Sequence, residues 1–532
     1  MSASDCVILR ADALRDKIFY CKGTAARART SRDLTIEVSL SCPCPERPLL
    51  PTVLFVSVPG VNFTSTNHPC IVRAVEDLIL IRVPMVRWPL DDDYDYFIYR
   101  PGGEKGPSLK LLPSTTFFHD ADVGLLRRGE EHYTVAALLA TGKLGVYDLH
   151  RFDSVTEKWS IDEVPLVEPQ VSFPYKKIPM NSQRLLFHLT STVISIGGES
   201  GTMGWVDLWH GILLCDMLST EPKLRGVPLP LPLDQLSCNN GLVTHLGCPR
   251  SLRAIAVIGK PGMEPCLKFV HLGVSAVPIH ANDGEEEEED WKMHDWTITT
   301  WSNKKMTTNW EDWHMDCKEF VHLGVSAGPI HANDGEEEEE DWKMHDWTIT
   351  TWSNKKMTTN WEDWHMDCKE VKASCTSISS NLSSTMLKSG LLSPGGIEPE
   401  RAFQNLLVST PAVGIDDGVV YLQARIKFWD PKVFVLALDT RDNKLIDAVE
   451  FATERIRGTG IVCFPSNISK YVDPENRRVV PIPKGVYSRA SASQYCKGTT
   501  SQKLPRIKLR IMRRLYGPTL EELSLDDATI AT

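Results

Sequence analysis

The 532-residue sequence has no run of about 18 uncharged apolar residues, which argues against a helical multi-span membrane protein. Asp5, Arg10, Asp12 and Arg15 interrupt the start, so it reads as no secretory signal. None of the 14 cysteines forms a Cys-x-x-Cys pair, and Cys42-Pro-Cys44 stands alone, so no zinc-ribbon spacing exists. The expectation is reduced thiols in a cytoplasmic or nuclear protein. His-Glu-x-x-His is missing, and Gly259-Lys260 lacks the earlier glycine and the following Ser/Thr of a phosphate loop. Gly198, Gly201 and Gly204 have the wrong spacing for a dinucleotide fingerprint. No cofactor, metal or catalytic constellation is expected, and the chain reads as a non-enzyme. Long amphipathic helical patterns are also scarce.

The net charge of -11 is local in origin. Residues 269–319 recur at 320–370 with one change, Val277 against Gly328. Each copy holds 12 Asp/Glu against 4 Lys, a net of -8, so the other 430 residues sum to -11 + 16 = +5. The remainder is an ordinary globular composition able to bury a sizeable core.

What recurs along the chain is a short apolar strand, a polar turn and a second strand. Tyr96–Arg100 leads through a glycine-rich turn to Leu109–Leu112. Gly145–Leu149 leads to Lys158–Ile161, and Gly211–Asp216 to Leu224–Pro230. Leu267–Leu272 is expected to pair with Trp296–Trp301 across an acidic loop. Val433–Asp439 turns through Thr440–Asn443 into Lys444–Ile446. Further turns separate Ile415–Asp417 from Val419–Leu422, and Val193–Gly198 from Gly204–Trp209. From Arg100 to Asp148, Asp216 and Leu272 the intervals are 48, 68 and 56 residues, and the next, without one copy of the block, is 116. A period near 50–60 with several strands per unit predicts an all-β, β-propeller-like fold of about six four-stranded blades in the kelch or F-box-associated style. A pair of β-sandwiches is the rival.

Trp205-Val206-Asp207-Leu208-Trp209-His210-Gly211-Ile212-Leu213-Leu214-Cys215-Asp216, followed by Leu224–Pro230, resembles the central signature of a plant family known as domain of unknown function 1618 (DUF1618). Thr52–Gly60, Tyr133–Ala136 and Ser469–Tyr471 are similar to its flanks, so the resemblance spans roughly 35–475. The family has no established activity. Some relatives are placed near F-box proteins of ubiquitin ligases, although residues 1–50 hold no Leu-Pro-rich F-box helix pattern. The second copy, 320–370, departs from the family pattern.

Two such similar copies cannot both fill one blade position, so one is expected to integrate and part of the other to bulge out. The runs Glu285–Asp290 and Glu336–Asp341 read as solvated loops. Ten of the 15 tryptophans lie in the copies. Trp296, Trp301, Trp310 and Trp313 are a candidate interaction surface, with packing between blades as the alternative for Trp296 and Trp301. Gly324-Val325-Ser326-Ala327-Gly328 matches a nucleophile elbow with His331 and Asp334 downstream. Pro329 follows at once, no helix pattern succeeds it, and the first copy lacks the final glycine. Arg506, Lys508, Arg510, Arg513 and Arg514 lie in a basic, apolar-interleaved tail able to serve nuclear import or nucleic-acid contact.

The sequence thus divides into an N-terminal segment (1–34), first blades (35–268), a blade segment with the doubled block (269–370), a linker (371–400), a last blade (401–470) and a basic, partly disordered tail (471–532). The leading functional expectation is a non-enzymatic scaffold or adaptor for an unidentified protein partner, away from membranes. A nuclear protein contacting nucleic acid through the tail is the alternative, and a serine hydrolase using Ser326 the weakest.

Overall fold

Alternating apolar residues, β-branched runs and tight polar turns give the chain antiparallel meanders, and the computed structural model is all-β with a single α-helix among the described residues. These are 7–14, 22–40, 52–61, 63, 68–85, 94–102, 106–113, 118–168, 188–229, 249–258, 265–279, 295–302, 314–322, 341–358, 363–392, 403–404, 406–414, 418–426, 432–452 and 463–466.

The first sheet joins β1 (Val7–Leu14), β2 (Ala26–Arg29), β3 (Thr35–Leu40) and β4 (Thr52–Ser57) to the meander β5 (Cys70–Val75), β6 (Leu78–Pro84), β7 (Tyr94–Arg100) and β8 (Ser108–Leu111). The link between the two halves is one pairing, Asp12 with Cys70. β27 (Cys463–Ser466) adds antiparallel to β1, so the two ends of the described chain meet in one sheet. Residues 1–34, expected as a separate segment, supply β1 and β2 to it.

The second sheet contains β9 (Val123–Arg128), β10 (His132–Ala140), β11 (Val146–Asp153) and β12 (Lys158–Glu168), then β13 (Thr192–Gly197), β14 (Thr202–Asp207), β15 (Gly211–Asp216) and β16 (Leu224–Pro228). Parallel pairing of β12 with β16 joins its halves. At the other end β9 and β13 lie side by side, and the Ser195 hydroxyl donates to the Leu125 carbonyl, so the sheet is nearly closed and barrel-like. Gly124 permits this approach. A Cβ there would stand 2.2 Å from Met203 Cε and 2.6 Å from Val193 Cγ1.

Two further four-stranded meanders follow. One is β17 (Arg253–Ile258), β18 (Cys266–Ile279), β21 (Asp341–Asn354) and β22 (Trp364–Lys372). The other is β23 (Leu407–Val413), β24 (Val419–Arg425), β25 (Lys432–Asp439) and β26 (Lys444–Ala452). The expected pairing of Leu267–Leu272 with Trp296–Trp301 does not form. β18 pairs along its length with the second copy, from Leu267 opposite Asn354 to Ile279 opposite Asp341. The first copy's strand, β19 (Asp295–Ser302), instead forms a separate two-stranded sheet with β20 (His314–His322). The two copies carry the same strand residues, so side-chain preference cannot choose between them. The second copy runs directly into Val371 and Ala373, both buried in the core with the last meander.

Residues 371–400, expected as a linker, contain α1 (Ser380–Ser389), capped by the Ser379 hydroxyl and ended by Gly390 in the left-handed region. Met386, Leu391 and Leu392 bury against the last sheet, which a flexible linker would leave exposed.

Period-2 alternation sends each strand's residues to opposite faces, and the buried clusters follow it. Ile79 and Ile81 pack toward Ile36 and Val38, whereas Leu78 and Leu80 pack toward Leu125 and Val135. Met203 and Trp205 face Ala136 and Leu138, whereas Val206 joins Leu267 and Phe269. Val270 and Leu272 face Leu422 and Leu436. Each successive meander therefore shares a core with the one before and the one after it. No helix among the described residues is long and apolar enough to cross a membrane.

Candidate functional site

β14 ends at Asp207, and Leu208-Trp209-His210 turns the chain into β15. The His210 amide donates to the Asp207 carbonyl (3.0 Å), and the Asp207 carboxylate accepts from the Trp209 amide (2.9 Å), an Asx-type turn. The other carboxylate oxygen accepts from the Leu189 amide at 2.8 Å, which fastens the segment leading into β13. Ser191 reinforces this. Its amide donates to the Val206 carbonyl (2.6 Å) and its hydroxyl accepts from the Leu208 amide (3.4 Å). Asp207 is wholly buried by these contacts.

Two histidines flank that carboxylate. The His188 and His210 rings lie 6.3 Å apart between centroids, and one ligand atom from each of His188, Asp207 and His210 falls within 4.8 Å of the others. Both ring nitrogens of His188 are buried and make no hydrogen bond. The Trp205 carbonyl lies close enough to favour the protonated ring without reaching hydrogen-bonding geometry. Burial, with His210 nearby, pushes His188 down to about 3, and burial pushes His210 down to about 4. Both imidazoles are therefore neutral at physiological pH, the form that ligates metals.

Arg253, first residue of β17, closes the other side. It is 1% exposed, donates to the Leu208 carbonyl at 3.1 Å, and sets its guanidinium 4.1 Å from the Trp209 ring centroid. Burial lowers its pKa to about 9 against the opposing charge of Asp207. His271 faces Arg253 in the β17–β18 register, and burial, then Arg253, hold it well below the usual histidine range.

A second charged group adjoins through Ser191, whose carbonyl accepts from Arg250. Arg73 on β5 is buried and donates to the carbonyls of Val72 and Ala121. Burial raises Asp122 to about 7 despite Arg73, the Thr190 hydrogen bond and Arg250, which act to lower it. The Trp205 indole donates to the Asp122 carbonyl (2.8 Å), so the two groups share one scaffold. Burial also pushes the Cys70 and Cys215 thiols up to about 12, which makes neither a ready nucleophile. Chemically, the arrangement offers metal ligands and fixed charges.

The residues singled out in the sequence lie elsewhere. Trp296 and Trp301 are in β19, opposite Val321 and Met315 of β20. Trp310 and Trp313 fall outside the described residues, as do Ser326, His331, Asp334 and the tail residues Arg506, Lys508, Arg510, Arg513 and Arg514. The acidic runs lie outside them too, apart from Asp341 in β21. In the integrated copy, Trp352 packs 5.6 Å from the Phe269 ring. Trp364 is buried there, with its indole donating to the Pro228 carbonyl (2.8 Å). The histidine cluster escaped the sequence reading, which expected no metal ligands. Asp207 and His210 are three residues apart and His188 lies nineteen upstream, a spacing that matches no ligand motif.

The fold defines a β-sheet protein whose polar cluster surrounds the Trp205–Gly211 turn. The family model described as protein of unknown function (DUF1618) matches residues 205–325, beginning in that turn's first strand, and supports the assignment of the chain to this family. The match is narrower than the 35–475 expected from the flanking resemblances. No curated protein matches the chain.

Proposed function

We propose that the chain is a six-bladed propeller acting as a non-catalytic interaction scaffold. The supporting observation is the sequence of neighbours among the first strands of the meanders. β5 lies beside β9, β9 beside β13, β13 beside β17 and β17 beside β23, and β27 stands between β23 and β5. The fourth strands β8 and β12 are more exposed than the second strands β6 and β10 of the same meanders, as blades radiating from an axis require, while the fourth strand β16 is buried. On this reading β1 and β27 close the ring by pairing the two chain ends. The loop-borne polar cluster gathers near the starts of β9, β13 and β17, at one end of the axis.

A scaffold needs a surface that its own core does not use. The β19–β20 hairpin is carried on the β18–β21 ribbon and belongs to no four-stranded meander. It brings Trp296 and Trp301, making it the proposed contact element for a protein partner. Affinity capture with the full chain should return a reproducible partner. The Trp296→Ala/Trp301→Ala variant should lose it while its circular dichroism stays unchanged. A partner retained by that variant would reject the hairpin as the contact element, and reproducible failure of the full chain to capture any partner would count against the scaffold itself.

A further inference from the structure

We propose that His188, Asp207 and His210 bind one divalent transition-metal ion of the zinc or cobalt kind, and that the ion clamps the segment before β13 to the turn between β14 and β15. Two imidazoles and one carboxylate form a donor set suited to such ions, with a remaining position open to water. Their ligand atoms already lie within 4.8 Å of one another. Tetrahedral coordination at about 2.0–2.1 Å would place them roughly 3.3 Å apart, within reach of side-chain rotation. The Asp207 oxygens accept the Leu189 and Trp209 amides, which fixes the orientation of the carboxylate. Such amide contacts orient a ligand in the way that outer-shell partners do in metal sites.

His188 is the observation that points beyond a structural turn. A capped turn explains Asp207, but it gives no reason to enclose both ring nitrogens of a half-buried histidine without hydrogen bonds. An ion bound by the lone pair of one of those nitrogens removes that nitrogen's share of the cost. The charge that opposes binding is Arg253, which stacks on Trp209 and donates to the Leu208 carbonyl. With one carboxylate and two neutral rings, the site therefore favours ions that bind nitrogen well over calcium or magnesium.

The experiment uses the full chain, stripped with chelator and titrated with Co2+. The expected result is one equivalent bound, with visible d–d absorption of tetrahedral or five-coordinate strength, displaced by Zn2+ and indifferent to Mg2+. Zn2+ should raise Tm, and chelator should reverse the rise. His188→Ala and His210→Ala should each weaken Co2+ at least ~100-fold, since loss of a ligand exceeds the loss of an outer-shell partner. His132→Ala, at an exposed position on β10, should bind as the parent. Asp207→Asn keeps an acceptor for the turn and should also lose the ion, which separates ligation from folding. A folded parent chain without stoichiometric Co2+ binding, or variants binding as the parent does, would overturn the proposal.

Discussion

Deleting residues 320–370 tests how the two copies share the fold. Because the copies are tandem, that deletion yields the same polypeptide as deleting 280–330. The product therefore keeps β17, β18, β21 and β22 with every residue in place, and loses only the β19–β20 insert. The connection from Ile279 to Asp341 is 61 residues long, and the deletion shortens it to 61 - 51 = 10. Loop-closure entropy scales as (3/2)RT ln n, so the shorter connection favours the folded state by up to about 1.6 kcal/mol. The buried partners of the ribbon, Phe269, Val270, Leu272 and Ile349, are all retained. Urea unfolding should therefore show equal or slightly raised stability with an m-value lowered by the loss of the hairpin. A loss beyond about 1 kcal/mol would refute the reasoning, because it would mean that β19–β20 contributes packing to the main sheets.

Two further substitutions probe the core around the polar cluster. Trp205→Phe should cost about 2 kcal/mol, since it opens a gap between the halves of the second sheet and leaves the buried Asp122 carbonyl without its indole donor. Urea denaturation reads this directly, and a change under 0.5 kcal/mol, as an order-of-magnitude bound, would deny the indole its role. Asp122→Asn tests the pH dependence. Burial raises the folded pKa to about 7 from 3.8, so the native state holds the extra proton between those values and stability falls as pH rises through that window. The asparagine variant should show a flatter stability–pH curve from pH 4 to 7 and a gain of up to about 4 kcal/mol at pH 8, measured by chemical unfolding at each pH. A variant less stable than the parent at pH 8 would show that the charge is held favourably by Arg73 and Arg250.

Local chemistry made the hairpins legible. Val433–Asp439 and Lys444–Ile446 pair as β25 and β26 because their apolar alternation meets a turn where Asn443 takes the left-handed conformation and the Asp439 carboxylate accepts from the Arg441 amide (2.9 Å). The same holds for Gly211–Asp216 with Leu224–Pro228, and for Tyr96–Arg100 with Leu109–Leu111. The fourth pairing failed because two identical strands competed for one partner, and only the chain's onward path into Val371 distinguishes them. The helix at Ser380–Ser389 is not legible in the sequence because its serine-rich stretch carries weak helical preference and is held by Met386 burying against a distant sheet.

By itself, then, the sequence determined the strands, their turns and the family signature, since these follow from neighbours within a few residues. Tertiary structure alone decided that β18 accepts the second copy, that β12 joins β16, and that His188 meets Asp207 and His210. Those outcomes depend on which surfaces become adjacent when whole sheets bury their faces together, and the period-2 pattern of one strand carries no record of its neighbour in space.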